Sequence, residues 1–149
     1  MAATVRLLAE PFDPAAQFTA FVSAHPGAGD IATFTGLVRA DAEVEALELL
    51  HYDKLTLAGM EELAERTLAR FALAGLALVH RHGVMRVGEP IVLVAAAARH
   101  RRAAIEAVDF AMDHLKSDSW FWKREQRADG WHWIEPREED HADLARWTV

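Results

Sequence analysis

The stretch that most restricts the fold is Ile91 to Ala98 (IVLVAAAA), an uninterrupted apolar run of strand size, far too short to span a membrane as a helix. It leads directly into Arg99-His100-Arg101-Arg102. From Arg101 to Lys116 the chain then carries its clearest helical period, with Ala104, Ile105, Val108, Met112 and Leu115 on one face. A strand that feeds an amphipathic helix through a basic junction predicts a sheet with helices packed against it. The 149 residues, 52% of them apolar, suit a single domain spanning 1–149 with its own core. No signal peptide or membrane span is recognisable, so a cytoplasmic protein is expected.

Around this unit, strands and helices mix. Thr4 to Leu8 reads as a first strand. Asp13-Pro14 starts a helix, an N-cap acceptor before a proline at the first helical position, and Phe18, Phe21 and Val22 supply its apolar face. The segment His25 to Asp30 breaks it. Ile31 to Arg39 is β-branched and aromatic, hence a strand, with Gly36 marking a bulge or a close backbone approach. The acidic connection Ala40 to Glu45 leads to Ala46–Tyr52, expected as a second strand of the same sheet. Thr56 to Phe71 follows the helical period, and Gly75 is expected to end it. Leu76 to His82 is a strand joined to Ile91–Ala98 through residues 83–90. Trp120–Gln126 and Trp131–Ile134 flank Ala128-Asp129-Gly130, a hairpin turn, and the tail from Glu135 is acidic and helix-prone. Without clean βαβ repetition the expected class is α+β.

Composition removes several chemistries. The chain has no cysteine, which excludes disulfides, thiolate zinc sites, iron–sulfur clusters and a cysteine nucleophile or persulfide carrier. A formal charge of −7 argues against a nucleic-acid surface. His80 and His82 share a strand face, but no third ligand stands at metal spacing, so neither metal nor cofactor is expected. Basic residues nevertheless concentrate between Arg99 and Arg127. The Arg99–Arg102 junction, at a helix N-terminus, reads either as an anion site or as partners of Glu106 and Asp109. Only three lysines occur: Lys54, Lys116 and Lys123. The two lysines seven residues apart, Lys116 and Lys123, read either as a helix-end dipole partner and an edge-strand surface residue or, since arginine cannot give up and recover a proton at neutral pH, as places where a titratable ammonium is retained. Lys54 reads as surface. The five tryptophans, Trp120, Trp122, Trp131, Trp133 and Trp147, read chiefly as packing.

Five segments occur in one order: Phe34-Thr35-Gly36-Leu37-Val38-Arg39, His80-Arg81-His82-Gly83 with Val87-Gly88-Glu89, Arg99-His100-Arg101, Met112-Asp113-His114-Leu115-Lys116 and Phe121-Trp122-Lys123-Arg124-Glu125. Together they resemble the large, catalytic subunit of molybdopterin synthase over about Ile31 to Arg137. Three departures are visible: a shorter Ala40–Glu45 connection, Leu55 where methionine is common, and Trp120 where proline is common. The resemblance implies an α/β-hammerhead-like domain with an antiparallel sheet and flanking helices, forming the homodimer core of a heterotetramer. It implies transfer of sulfur to cyclic pyranopterin monophosphate, giving the dithiolene of molybdopterin. The sulfur comes from a small ubiquitin-like carrier whose C-terminal Gly-Gly ends in a thiocarboxylate. Neither nucleic acid nor membrane is implied. Lys116 and Lys123 are the implied catalytic residues. Substrate binding falls to these lysines with Leu37, Val38, Arg39, His100, Arg101, Arg124 and Glu125, and Phe34, Met112 and Arg137 support the pocket. His100 and Arg101 are implied to serve the neighbouring protomer's site.

The charges suit that chemistry, because two anionic partners must meet and a cationic cluster offsets their repulsion. Lys116 is expected to stabilise the thiocarboxylate and the charge developing on its carbonyl, and Lys123 to act as acid or base. The sequence does not separate these two roles. The alternative is a non-catalytic dimeric module that holds a phosphorylated metabolite or nucleotide at the Arg99–Arg102 junction. Such a module could replace both lysines by arginine.

Overall fold

The computed structural model describes residues 2–41, 43–117, 120–135 and 138–148. The elements are β1 (Ala3–Leu8), α1 (Pro14–Ala24), β2 (Asp30–Leu37), β3 (Ala46–His51), α2 (Leu55–Phe71) and β4 (Gly75–Arg81). They continue with β5 (Gly83–Arg86), β6 (Pro90–Ala98), α3 (Arg101–Ser117), β7 (Phe121–Arg127), β8 (Gly130–Ile134) and α4 (Glu138–Ala145), closed by a 3-10 turn at Arg146–Thr148. The α+β architecture is as expected, but the strands divide over two sheets. One has the order β1-β4-β6-β2, the other β5-β3-β7-β8. All neighbouring strands are antiparallel except the parallel pair β1–β4.

The apolar run lies in β6, with Ile91 to Ala98 buried throughout. Alternate side chains of a strand face opposite ways. Leu93, Ala95 and Ala97 therefore meet Ala77, Val79 and Phe21 of α1 on one side. Val92, Val94 and Ala96 enter the larger core with Leu76, Leu78, Met60 and Leu63, closed by Ala107, Val108 and Ala111 of α3. Met60, Leu63 and Leu78 are fully excluded from solvent, and truncating any of them to alanine costs about 2–5 kcal/mol.

Local expectations hold where side-chain chemistry fixes the backbone. The Asp13 carboxylate accepts the Ala15 N–H at 3.0 Å and caps α1. The β2–β6 register slips between Gly36 and Leu37, the bulge expected at Gly36, where a Cβ would come within 2.9 Å of Val92. β2 consequently ends at Leu37 rather than at Arg39. The hairpin joins β7 to β8, with Gly130 at φ 120°.

Three expectations are corrected. β3 is not in the sheet of β2: it pairs with β5 on one side and β7 on the other, so its backbone groups are used in the second sheet. Helix α2 ends at Phe71, as expected, but Gly75 is not what ends it. Ala72 takes the left-handed conformation at φ 51°, its N–H reaching the carbonyl of Leu68, and Gly75 opens β4, where a Cβ would collide with the His25 ring. Residues 83–90 are more than a connection, since they contain β5, reached by a turn at Gly83 (φ 96°) that passes the chain from the first sheet to the second.

Candidate active site

The geometry follows from one match of lengths. Helix α3 starts two residues after β6 and packs back over β6 and β2. Eight strand steps span about 26 Å and sixteen helix steps about 24 Å, so the end of α3 returns to the level at which β6 began. That is where β2 ends, Leu37 lying opposite Pro90. Lys116 thus comes back towards the Leu37-Val38-Arg39 segment. His100 and Arg101 stay at the other end of the helix, about 22 Å from Lys116 along its axis.

Val38 fixes its segment: it is buried, its N–H donates to the Glu89 carbonyl at 2.9 Å, and its carbonyl accepts the Gly88 N–H at 2.9 Å. Leu37, 53% exposed, and Arg39 flank it in solvent. The turn that grips Val38 is itself braced. The Glu89 carboxylate takes the Arg86 N–H at 2.5 Å and faces the buried Arg81 guanidinium at 3.4 Å, while Arg81 also donates to the Val84 carbonyl at 3.2 Å. The Arg86 N–H, and after it Arg81, hold Glu89 below the usual carboxylate range. Arg81 and Glu89 brace this turn, which residue chemistry alone did not mark. Their only signal is the His80-Arg81-His82-Gly83 and Val87-Gly88-Glu89 segments.

The two lysines come from elements that meet at His80. Its ring, 7% exposed, stacks on Phe121 of β7 at 4.1 Å between centroids. Nδ1 lies 2.9 Å from the Arg81 carbonyl, which can only accept, so a neutral His80 carries its proton there and leaves Nε2 as a lone pair. Burial first, then the nearby Lys116 ammonium and His82, push His80 down to about 4, against the Arg81 hydrogen bond. Phe121 is two residues from Lys123 and shares its face of the strand. Lys123 lies across from Leu49 in β3 and Ile134 in β8, and both lysines are solvent-exposed. Met112, buried in α3, sits one helical turn before Lys116 on the same face. Phe34 is exposed on β2 beside Gly36.

The neighbours of Lys123 are committed to other contacts. Arg124 points to the opposite face, where Nε donates to Glu48 at 2.5 Å and the guanidinium lies 4.5 Å from the Trp131 ring and 5.5 Å from that of Trp133. Glu125 shares the face of Lys123 and accepts from Arg127 at 3.0 Å. At the far end of α3, His100 and Arg101 are exposed and make no ion pair among the described residues. Arg102 reaches Glu106 at 4.0 Å, but Asp109 pairs with Arg146 at 2.7 Å instead of with the basic junction. Arg137 lies outside the described residues.

Two open clefts flank this region. One, of about 340 Å³, is lined by Arg66, Arg70, Phe110, His114 and Trp147. The other, of about 450 Å³, lies between Glu43, Glu45, Arg127 and the hairpin turn. Neither includes Lys116 or Lys123. Both lysines lie on exposed surface. Among the described residues no three His, Asp or Glu side chains converge as a metal site would require, and no helix is long and apolar enough to cross a membrane.

Comparison with known proteins bears on the fold and the family. The family model described as MoaE protein matches residues 7–118. The molybdopterin synthase catalytic subunit of Caulobacter vibrioides is 46% identical over 144 residues, 96% of each chain. Among solved structures, the molybdopterin biosynthesis MoaE protein of Burkholderia ambifaria superposes with a TM-score of 0.84 at 39% identity, covering 99% of both chains. Molybdopterin synthase from Staphylococcus aureus does so with a TM-score of 0.77 at 25% identity, covering 87% of this chain and 96% of that one. Sequence and fold match across nearly the whole length, and the chain belongs to the MoaE family.

Proposed function

We propose that this chain is the catalytic subunit of a molybdopterin synthase, acting as one cytoplasmic domain and building its site between two copies of itself. The single observation that carries this reading is the division of the cationic groups along α3. Lys116 stands at one end of the helix, and His100 with Arg101 at the other, about 22 Å away. A pyranopterin is too small to touch both ends at once. Two protomers packed with their α3 helices antiparallel bring the His100–Arg101 end of one against the Lys116 end of its partner, and two equivalent sites result.

Each site then receives two anions. A small ubiquitin-like carrier subunit inserts its C-terminal Gly-Gly thiocarboxylate, and cyclic pyranopterin monophosphate supplies the carbons that accept sulfur. Arg39, with His100 and Arg101 of the other copy, holds the phosphate. Leu37 and Val38 shape the rim beside Arg39. Phe34, Met112 and Arg137 support the pocket. Lys116 stabilises the thiocarboxylate and the charge on its carbonyl as its sulfur bonds to the substrate carbon and water then cleaves the acyl C–S bond, leaving the carrier with a free carboxylate. Lys123 moves protons during ring opening and dehydration, and Arg124 and Glu125 fix the strand that carries it. Fixed cations placed where negative charge develops are worth far more than mobile ones in water. Carrier and catalytic subunits together form a heterotetramer around the dimer.

Reconstitution tests the reading. Thiocarboxylated carrier and pyranopterin substrate should give dithiolene product only when this chain is added. Lys116→Ala and Lys123→Ala should each lower the rate at least about a hundredfold without loss of fold. Normal product formation by both variants would sink the assignment. A pure anion-binding module, the alternative reading, would bind the substrate and form no product.

A further inference from the structure

We propose that the C-terminal tail is a positioning brace for Lys116; this rests on the reading of Lys116 as catalytic. The contacts of the tail fall on the C-terminal half of α3. The Ser117 hydroxyl donates to the carbonyl of Asp140, in the first turn of α4, at 2.5 Å. Asp113, four residues before Ser117 and on the same face, accepts the Trp147 indole N–H at 2.6 Å and Arg146 Nη2 at 2.8 Å. Arg146 also reaches Asp109 at 2.7 Å, one turn earlier. Both ends of the tail therefore grip α3, one at Ser117 and the other at Asp109 and Asp113. Lys116 stands between these grips.

The far grip is anchored in the body of the protein. The Trp147 ring packs edge-on against Phe110 at 5.4 Å and Phe71 at 6.1 Å, and Arg70 of α2 lies over it at 5.5 Å. Phe110 belongs to the main core, so the tail is registered to the same core that holds α3. A free helix end has carbonyls without intrahelical partners and frays. In α3 that last turn is the one that aims the lysine. The acidic tail thus acts through Lys116, at a distance from substrate, by limiting the positions that its ammonium can take. Misplacing a reacting group by about 1 Å can cost about a hundredfold in rate.

The test uses the full chain reconstituted with its carrier. Arg146→Ala combined with Trp147→Ala should lower kcat for dithiolene formation by about tenfold to a hundredfold, with KM for the carrier changed less than about twofold. Acylation of Lys116 by an amine reagent, followed by mass spectrometry, should rise several-fold in this variant, while that of Lys54 stays constant. Ser117→Ala and Trp147→Phe each remove one hydrogen bond and leave the packing, and each should show a smaller loss in kcat of the same kind. Unchanged kcat in these variants would overturn the brace. So would a fall in kcat with Lys116 acylation unaltered. A wild-type chain that makes no dithiolene would overturn the reading beneath it, and the brace with it.

Discussion

Acidification should destabilise this protein through His80 before its carboxylates are neutralised. In the unfolded chain His80 protonates near 6.5; in the folded chain burial, assisted by the Lys116 ammonium and His82, delays protonation to about 4. The folded state therefore loses nothing above about pH 6.5, where the ring is neutral in both states. As pH falls from 6.5 towards 4 the unfolded state gains a proton that the folded state refuses, and stability drains away; below 4 this contribution is constant. The gap corresponds to about 3 kcal/mol, most of it gone by pH 4.5. His82, also lowered by burial and by the His51 ring 4.2 Å away, adds in the same direction. The assay is urea unfolding at pH 7.5 and pH 4.5 for the wild type and for His80→Gln, which keeps an N–H for the Arg81 carbonyl but cannot titrate. The variant should lose about 2–3 kcal/mol less than the wild type over that interval. Equal losses would show that His80 is not the buried neutral base described here.

Two further substitutions probe the frame around the lysines. Thr56 is fully buried, accepting the Tyr52 N–H at 2.9 Å and donating to the Trp120 carbonyl at 2.6 Å, so Thr56→Val should cost about 2 kcal/mol in chemical denaturation. A loss below about 0.5 kcal/mol would mean that these bonds do not tie α2 to the chain entering β7. Ala72→Gly should stabilise by up to about 1 kcal/mol, because the left-handed cap at φ 51° suits glycine, and should raise Tm by about 2–4 °C. A lower Tm would contradict the strain assigned to that cap.

Legibility in the sequence followed the range of the forces involved. Asp13 and Gly130 act within a few residues of themselves, and each did what its side chain, or lack of one, dictates. The sheet that β3 joins depends on backbone partners up to 80 positions away, on β5 and β7, and strand propensity carries no information about them. Ala72 caps α2 although alanine has no preference for that conformation, and Gly75, where a Cβ would meet the His25 ring, opens β4 instead. The lysines were visible from scarcity and from the order of the motifs. The Arg81–Glu89 brace was not, since an ion pair across a turn leaves no periodicity. The separation of Arg101 from Lys116 is implicit in the predicted helix itself: sixteen residues of helix hold its ends apart whatever surrounds them.

The most direct test of the composite site is complementation between two inactive variants. Lys116→Ala and Arg101→Ala chains, differently tagged, are combined, and the mixed dimer is isolated and assayed with thiocarboxylated carrier and pyranopterin. If each site joins Lys116 of one copy to Arg101 of the other, the mixed dimer carries one doubly damaged site and one intact site. It should form dithiolene at about half the wild-type rate per dimer, although each parent dimer is nearly inactive. A mixed dimer no more active than its parents would place Lys116 and Arg101 in the same protomer's site and contradict the account.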